Sequence, residues 1–194
     1  MFTALLDTCV LWPSLQRDFL LSLAIEGMYR PIWSSAILEE LEVSETAKLT
    51  GKVGMNVDEA EHRVRHLIEQ MRTAFDDAEV VGWEGLEGTY GLPDPDDEHV
   101  LAAAVVGGAG AIVTHNRKDF PRDKSPYGLE VLSPADFALS TVSLKPDLAW
   151  QAVRKIVARS GKSGRPVRTT DEILTVLADR YGMADAVDLL QEFS

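Results

Sequence analysis

The sequence predicts an α/β fold: a parallel sheet covered by helices on both faces, continued by a small helical appendage. Three observations lead there. Short apolar runs alternate with stretches of helical apolar spacing from the N-terminus to residue 141. Strand, helix, strand in that order implies a parallel sheet, with right-handed crossovers expected. Beyond residue 142 the apolar spacing is helical throughout. The expected organisation is therefore one domain over 1–141 and a helical extension over 142–194.

FTALL (2–6) is a buried strand candidate ended by Asp7. WPSLQRDFLLSLAIEG (12–27) has helical spacing, with Pro13 tolerable in a first turn and Gly27 as a stop. RPIWS (30–34) is the second strand, and a helix over 34–49 follows with Ser34 or Ser35 as N-cap. Residues 57–75 form a long amphipathic helix with acids in its first turn. AEVVGW (78–83) is the third strand, and the Gly-rich 85–93 is loop. A helix over 94–108, apolar nearly all round in its second half, leads to AIVT (111–114) and then LEVL (129–132). Ser133-Pro134 opens the next helix as N-cap and N1. Helices over 146–160, 169–180 and 183–193 complete the chain, with SGKSGRP as a linker and TTDE (169–172) as a capping box.

The 194 residues are 45% hydrophobic and 26% charged, a composition that suits a soluble globular protein. One cysteine, Cys9, excludes an intramolecular disulfide and points to a reducing cytoplasm. The N-terminus lacks a basic n-region, and Asp7 interrupts its apolar run, so neither a signal peptide nor a membrane span is expected. The net charge of −12 argues against a nucleic-acid binder that relies on bulk positive charge. Residues 1–141 hold 11 Lys/Arg against 24 Asp/Glu, whereas 142–194 hold 8 against 7. Within the tail, 154–168 carries six basic residues and no acid. It reads either as an exposed linker or as a segment that recruits RNA through its phosphates.

In an open parallel sheet, ligands sit beyond the carboxyl ends of the strands. Asp7 follows the first strand, Asn116 and Asp119 follow the fourth, and Asp94, Asp96 and Asp97 crowd the start of the helix between. Glu39 and Glu40 lie on the helix after the second strand. Carboxylates brought that close raise one another's pKa, and a divalent cation removes the conflict. Oxygen-only donors suit Mg²⁺ or Mn²⁺. Each residue has a structural reading as well. Asp94-Pro95 is a good helix start, Asp7 could form a turn, Glu40 could be solvated helix surface, and Asn116 and Asp119 could make Asx-turns. His62 and His66 share a helix face without an obvious third ligand. His99 and His115 sit near the acids, where an RNA contact is open. Cys9 reads as a small packed residue, and GGAG (107–110) as a helix stop and turn.

LLDTCVL (5–11), SSAILEEL (34–41) and LPDPDDEHVLAAAVVGGAGAIVTHNRKDFP (92–121), in this order and spacing, resemble the PIN-domain family and, within it, the VapC-type toxins of bacterial toxin–antitoxin pairs. The resemblance covers about residues 1–141. It implies a three-layer α/β/α sandwich and cleavage of RNA dependent on Mg²⁺ or Mn²⁺. By the same resemblance, Asp7, Glu40, Asp97 and Asp119 are the catalytic, metal-binding acids, with Glu39 as the fallback for Glu40. Asp94 resembles an extra metal-binding acid of one sub-branch, and Asn116 supports the metal or its water. Thr8 and Thr114 are supporting hydroxyls. Cys9 stands where many relatives carry Asn, Ser or Thr, which puts a polar contact there in doubt. The implied partners are an RNA substrate, a cognate antitoxin and a second copy of the chain, with no membrane. The helical tail resembles that of a larger VapC sub-branch and would meet antitoxin, RNA or a second copy. Two other functions compete: a non-catalytic RNA- or protein-binding module on the same fold, and a phosphoryl-transfer domain built on the strand-end Asp7.

Overall fold

The structure, a computed structural model, describes residues 1–161 and 167–193. Five strands form one parallel sheet flanked by helices, the α/β/α class expected from the alternation. They are β1 (Thr3–Leu6), β2 (Arg30–Ser34), β3 (Glu79–Val80), β4 (Ala111–Val113) and β5 (Glu130–Leu132), in the order β3-β2-β1-β4-β5. The order runs outward from β1 in one direction, then jumps back across it. The reversal therefore lies between β1 and β4, which pair with Leu5 opposite Ile112 and Leu6 opposite Val113. Such a switch point opens a crevice at the carboxyl ends of the two strands. Ala4, Leu5, Leu6, Ile112 and Val113 are wholly buried, as continuous apolar runs in a covered parallel sheet should be.

The helices are α1 (Thr8–Leu11), α2 (Ser14–Ile25), α3 (Ser35–Gly51), α4 (Val57–Ala74), α5 (Glu98–Val106), α6 (Pro134–Leu144), α7 (Pro146–Arg159), α8 (Thr170–Tyr181) and α9 (Ala184–Glu192). Their starts follow the side-chain chemistry. Ser34 accepts the Ile37 N–H at 3.2 Å, Ser133 accepts that of Asp136 at 3.0 Å, and Thr169 and Glu172 form a complete capping box. Each such cap contributes about 1 kcal/mol. Ala60, Val64, Ile68 and Met71 form the buried stripe of α4, which packs on α3.

Three elements differ from the sequence reading. Pro13 stands ahead of α2 in extended conformation, and a separate single turn, α1, follows Asp7. Only Glu79 and Val80 of the third strand pair, since the chain turns at Gly82 with φ +79°. The helix expected from residue 94 begins as a 3-10 turn, Pro95–Asp97, before α5. Most of the expected linker after α7, with Lys162 and Arg165, lies outside the described residues.

The chain divides into two compact units. One comprises Thr3–Trp12 and Pro31–Val131, with most of the sheet and α1, α3, α4 and α5. The other gathers Met1–Phe2, Pro13–Arg30 and the chain from Leu132 onward, so α2 groups with α6 to α9. Within that helical unit α2 packs on α7, and Tyr29 meets Phe137 edge-on at 4.8 Å. Polar contacts reinforce the same faces: Lys155 pairs with Glu26 at 2.6 Å, and Arg159 donates to Ser22 at 2.7 Å.

In the sheet-bearing unit, Gly107 closes α5 where the helix end meets β2 and β3. A Cβ there would stand 2.4 Å from Ile32 Cδ1, 2.8 Å from Val80 Cγ2 and 3.0 Å from the Ala103 carbonyl oxygen. Its φ of −74° is ordinary, so close approach and not backbone strain requires the glycine. At an unobstructed helical site, Gly→Ala stabilises by about 0.4–1 kcal/mol. Here the overlap reverses the sign: Gly107→Ala should lower stability by about 1–3 kcal/mol. The check is urea denaturation, in which the midpoint should fall at unchanged m-value.

Candidate active site

The segments that carry the candidate acids beyond the ends of β1 and β4 belong to the sheet-bearing unit. Asp7 follows β1 directly, its N–H bound to the Val113 carbonyl at 3.1 Å and its carbonyl accepting from Val10 and Leu11 of α1. The residue is 6% exposed. Its Oδ2 accepts two hydrogen bonds, from Thr114 Oγ1 at 2.6 Å and from Cys9 Sγ at 3.1 Å. Among the described residues no donor reaches Oδ1, so one oxygen stays available. Thr114 also accepts the Asn116 N–H at 3.0 Å, which steers the chain into the 3-10 turn Arg117–Asp119.

Cys9 has a role that its sequence reading as packing missed. Its Sγ accepts the His115 N–H at 3.3 Å while donating to Asp7. Burial, and then the Asp7 charge, push the thiol up to about 12, so it stays protonated and serves as a donor. The polar contact put in doubt by a cysteine at this position is therefore made by sulfur.

The other acids approach from separate segments. Asp94 caps the 3-10 turn, its Oδ1 accepting the Asp96 N–H at 3.0 Å. Its structural reading as an N-cap thus holds alongside any other role. Asp97 lies half-buried at the junction of that turn and α5. Burial, then the charges of Asp7, Asp119 and Asp94, push its carboxyl up to about 6, with only His99 opposing. Those four carboxylates therefore share one field. Asn116 and Asp119 bracket the turn after β4, joined by the Asp119 N–H on the Asn116 carbonyl at 2.9 Å.

Glu40 sits on α3, and both its oxygens are engaged. Thr8 Oγ1 donates to Oε2 at 2.5 Å, and His99 Nε2 stands 3.0 Å from Oε1. Burial works to raise the Glu40 carboxyl, but these two partners outweigh it and hold it below the usual range. Burial likewise works to lower His99, and the Glu40 bond and charge outweigh it, leaving the imidazole raised. His99 is 6% exposed against the Trp83 ring, so it braces Glu40 from within and presents little surface to a ligand. Glu39 is exposed on the same helix. His62 and His66 lie on α4 beside Arg65 and Glu69, apart from the acids just described.

Glu98 escaped the sequence reading altogether. It is 3% exposed and accepts the N–H of Leu92 at 2.7 Å and of Tyr90 at 3.1 Å. Burial works to raise it, but backbone donors from Leu92, Tyr90, Gly91 and Gly88 outweigh that and keep it ionised. The Gly-rich loop ahead of it, whose backbone N–H groups need acceptors, is the signal that could have found it.

The candidate donor set Asp7, Glu40, Asp94, Asp97, Asn116 and Asp119 is all oxygen, which matches a hard divalent cation. Among the described residues no three His, Cys, Asp or Glu side chains stand close enough to cage an ion as they lie. Mg²⁺ does not require such a cage, since it keeps several waters and takes one or two carboxylates. Burial, and then the charges of Asp7, Asp119 and Asp94, raise the Asp97 carboxyl, and a bound cation would offset those charges. The residues fit such a cation on both counts.

Comparison with known proteins agrees with this architecture. The PIN domain family profile matches residues 3–118. A 49-residue stretch is 51% identical to part of the Mycobacterium tuberculosis protein named Putative ribonuclease VapC50, covering 25% of this chain and 29% of that protein. The alignment thus spans less than a third of that relative's length. No solved structure matches the chain.

The Asp97 carboxyl generates a pH prediction for metal-free protein. An acid raised in the folded state makes folding favour the protonated form, so stability falls as pH rises from the ordinary Asp value through about 6. After allowance for solvent screening, the loss should be about 1–2 kcal/mol. Asp97→Asn should therefore raise Tm in EDTA at pH 8 and give little gain near pH 4. Equal gains at both values would refute the repulsion.

Proposed function

The chain belongs to the PIN-domain family, and on that premise we propose that it is a metal-dependent endoribonuclease, the toxin of a toxin–antitoxin pair. One observation supports the reading: beside the β1/β4 switch point Asp7, Asp94 and Asp119, from separate segments, act electrostatically on half-buried Asp97, whose carboxyl is pushed up to about 6. A module that merely binds has little use for clustered carboxylates. The name of the Mycobacterium tuberculosis relative points the same way over the quarter of the chain it matches.

In this reading Asp7, Glu40, Asp97 and Asp119 are the catalytic acids that would hold Mg²⁺ or Mn²⁺, joined by Asp94 and Asn116. When bound, the cation supplies positive charge against the phosphate oxygens and Lewis-acid polarisation of the scissile group. The chain's own residues do the positioning. Thr114 and Cys9 fix Asp7 through Oδ2, which would leave Oδ1 for the cation. Thr8 and His99 fix Glu40 on α3. Asp97 and Asp119 contribute the charge whose mutual repulsion the cation relieves. Glu98 secures the loop ahead of Asp94 by its backbone, so that the acid-rich turn starts from a fixed point.

RNA as substrate, neutralisation by a cognate antitoxin, self-association and a cytoplasmic location belong to the same reading. So does the division of labour between residues 1–141, for catalysis, and 142–194, for partner contacts. Among the described residues no helix is long and apolar enough to cross a membrane.

The test is hydrolysis of structured RNA by the purified chain in Mg²⁺ or Mn²⁺. Activity should vanish in EDTA and in Asp7→Asn. Thr114→Val removes only the bond that orients Asp7, and should cost about 10–100-fold in activity. Cleavage that persists both without metal and in Asp7→Asn would overturn the proposal.

A further inference from the structure

An acidic nuclease must still hold an anionic strand, and the segment that carries Asp119 has the chemistry for it. We propose that residues 115–128 form a docking surface for single-stranded RNA, with Lys118, Arg122 and Lys124 meeting phosphates and Tyr127 stacking on a base. The substrate class rests on the ribonuclease reading above.

Charge is the first argument. Residues 1–114 hold 7 Lys/Arg against 20 Asp/Glu, whereas 115–128 hold 4 against 2. The sign of the chain thus inverts beside an acid of the site. Lys118, Arg122 and Lys124 are exposed, and among the described residues none of them is engaged in a salt bridge. Exposure is the second argument. Tyr127 is entirely exposed, at 108% of its reference area, so packing gives no reason for an aromatic there. A bare ring amid cations is what stacking on an unpaired base requires.

The segment is also built in advance. Phe120 anchors it in the core at 3% exposure. Beyond it, the Lys124 and Ser125 N–H groups close on the Pro121 carbonyl at 3.0 and 3.2 Å, and the Leu129 N–H closes on Pro126 at 3.2 Å. Two prolines and three backbone bonds leave less conformational freedom to lose on binding. Lys124 Nζ lies beside Gly91, 3.6 Å from where a Cβ would stand, next to the loop that Glu98 secures.

RNA fits this surface better than a protein does. The segment has no aliphatic side chain to form the apolar centre of a protein interface. The basic stretch of the tail is less well prepared. Of its described cations, Lys155 is paired with Glu26 and Arg159 is bonded to Ser22.

The experiment is fluorescence anisotropy of the full chain with a 2′-O-methyl single-stranded RNA about twelve nucleotides long, in EDTA, across a salt series. Arg122→Gln with Lys124→Gln should weaken binding and make the logarithmic salt slope shallower by about 1.4. Tyr127→Ala should weaken it by about tenfold with the slope unchanged. Unaltered affinity and slope in both variants, or no binding by the parent chain, overturns the proposal. So does unaltered RNA binding accompanied by loss of a protein partner. If the variants lose RNA while the parent chain fails to cleave in Mg²⁺, the docking surface stands and the nuclease reading falls.

Discussion

Carboxylates of like charge, gathered where two parallel strands end side by side, repel one another, and much of the surrounding chain serves to hold them there. Asp7 is nearly buried, and burial alone penalises its charge. Two neutral donors, Thr114 and Cys9, offset that penalty at one oxygen. At Asp97 no such donor answers among the described residues: burial first, and then the charges of Asp7, Asp119 and Asp94, push its carboxyl up. Hydrogen bonds stabilise one anion at a time, whereas repulsion among several is relieved by protonation or by a shared cation.

The contrast between neighbouring residues makes the same point. Asp97 and Glu98 are adjacent and both meet a burial penalty, yet their carboxyls shift in opposite directions. Asp97 faces other acids. Glu98 faces backbone N–H groups of a glycine-rich loop, which act as fixed donors in a poorly solvated place. The two carboxyls thus answer to opposite surroundings across the junction of the 3-10 turn with α5. Glu40 occupies an intermediate position: half-exposed, with both oxygens held by Thr8 and His99, it is oriented before any ligand arrives.

Acids outnumber bases by 20 to 7 over residues 1–114, and the balance changes sign over 115–128. A site that attracts a divalent cation must be electronegative, and a site that meets RNA must be approachable. The cationic segment follows Asp119 directly within the same compact unit, so the two kinds of charge are separated by only a turn of chain.

Much of this was legible in the residues themselves. Strand and helix order followed from the alternation of apolar runs. Helix starts at Ser34, Ser133 and Thr169 followed from capping chemistry, and the segments that carry the acids followed from strand ends and motif register. Those features are local, and backbone sterics and side-chain chemistry act over a few residues. What tertiary structure decided was which residues meet. Cys9 and Thr114 converge on Asp7 from positions more than a hundred residues apart in sequence. His99 finds Glu40, Gly107 yields room to Ile32 and Val80, and α2 groups with α6 to α9. Periodicity reports that a face is buried but not against what. Hydrogen bonds between distant segments leave no pattern in the sequence that makes them, so the supports of the acids appear only once the chain has folded.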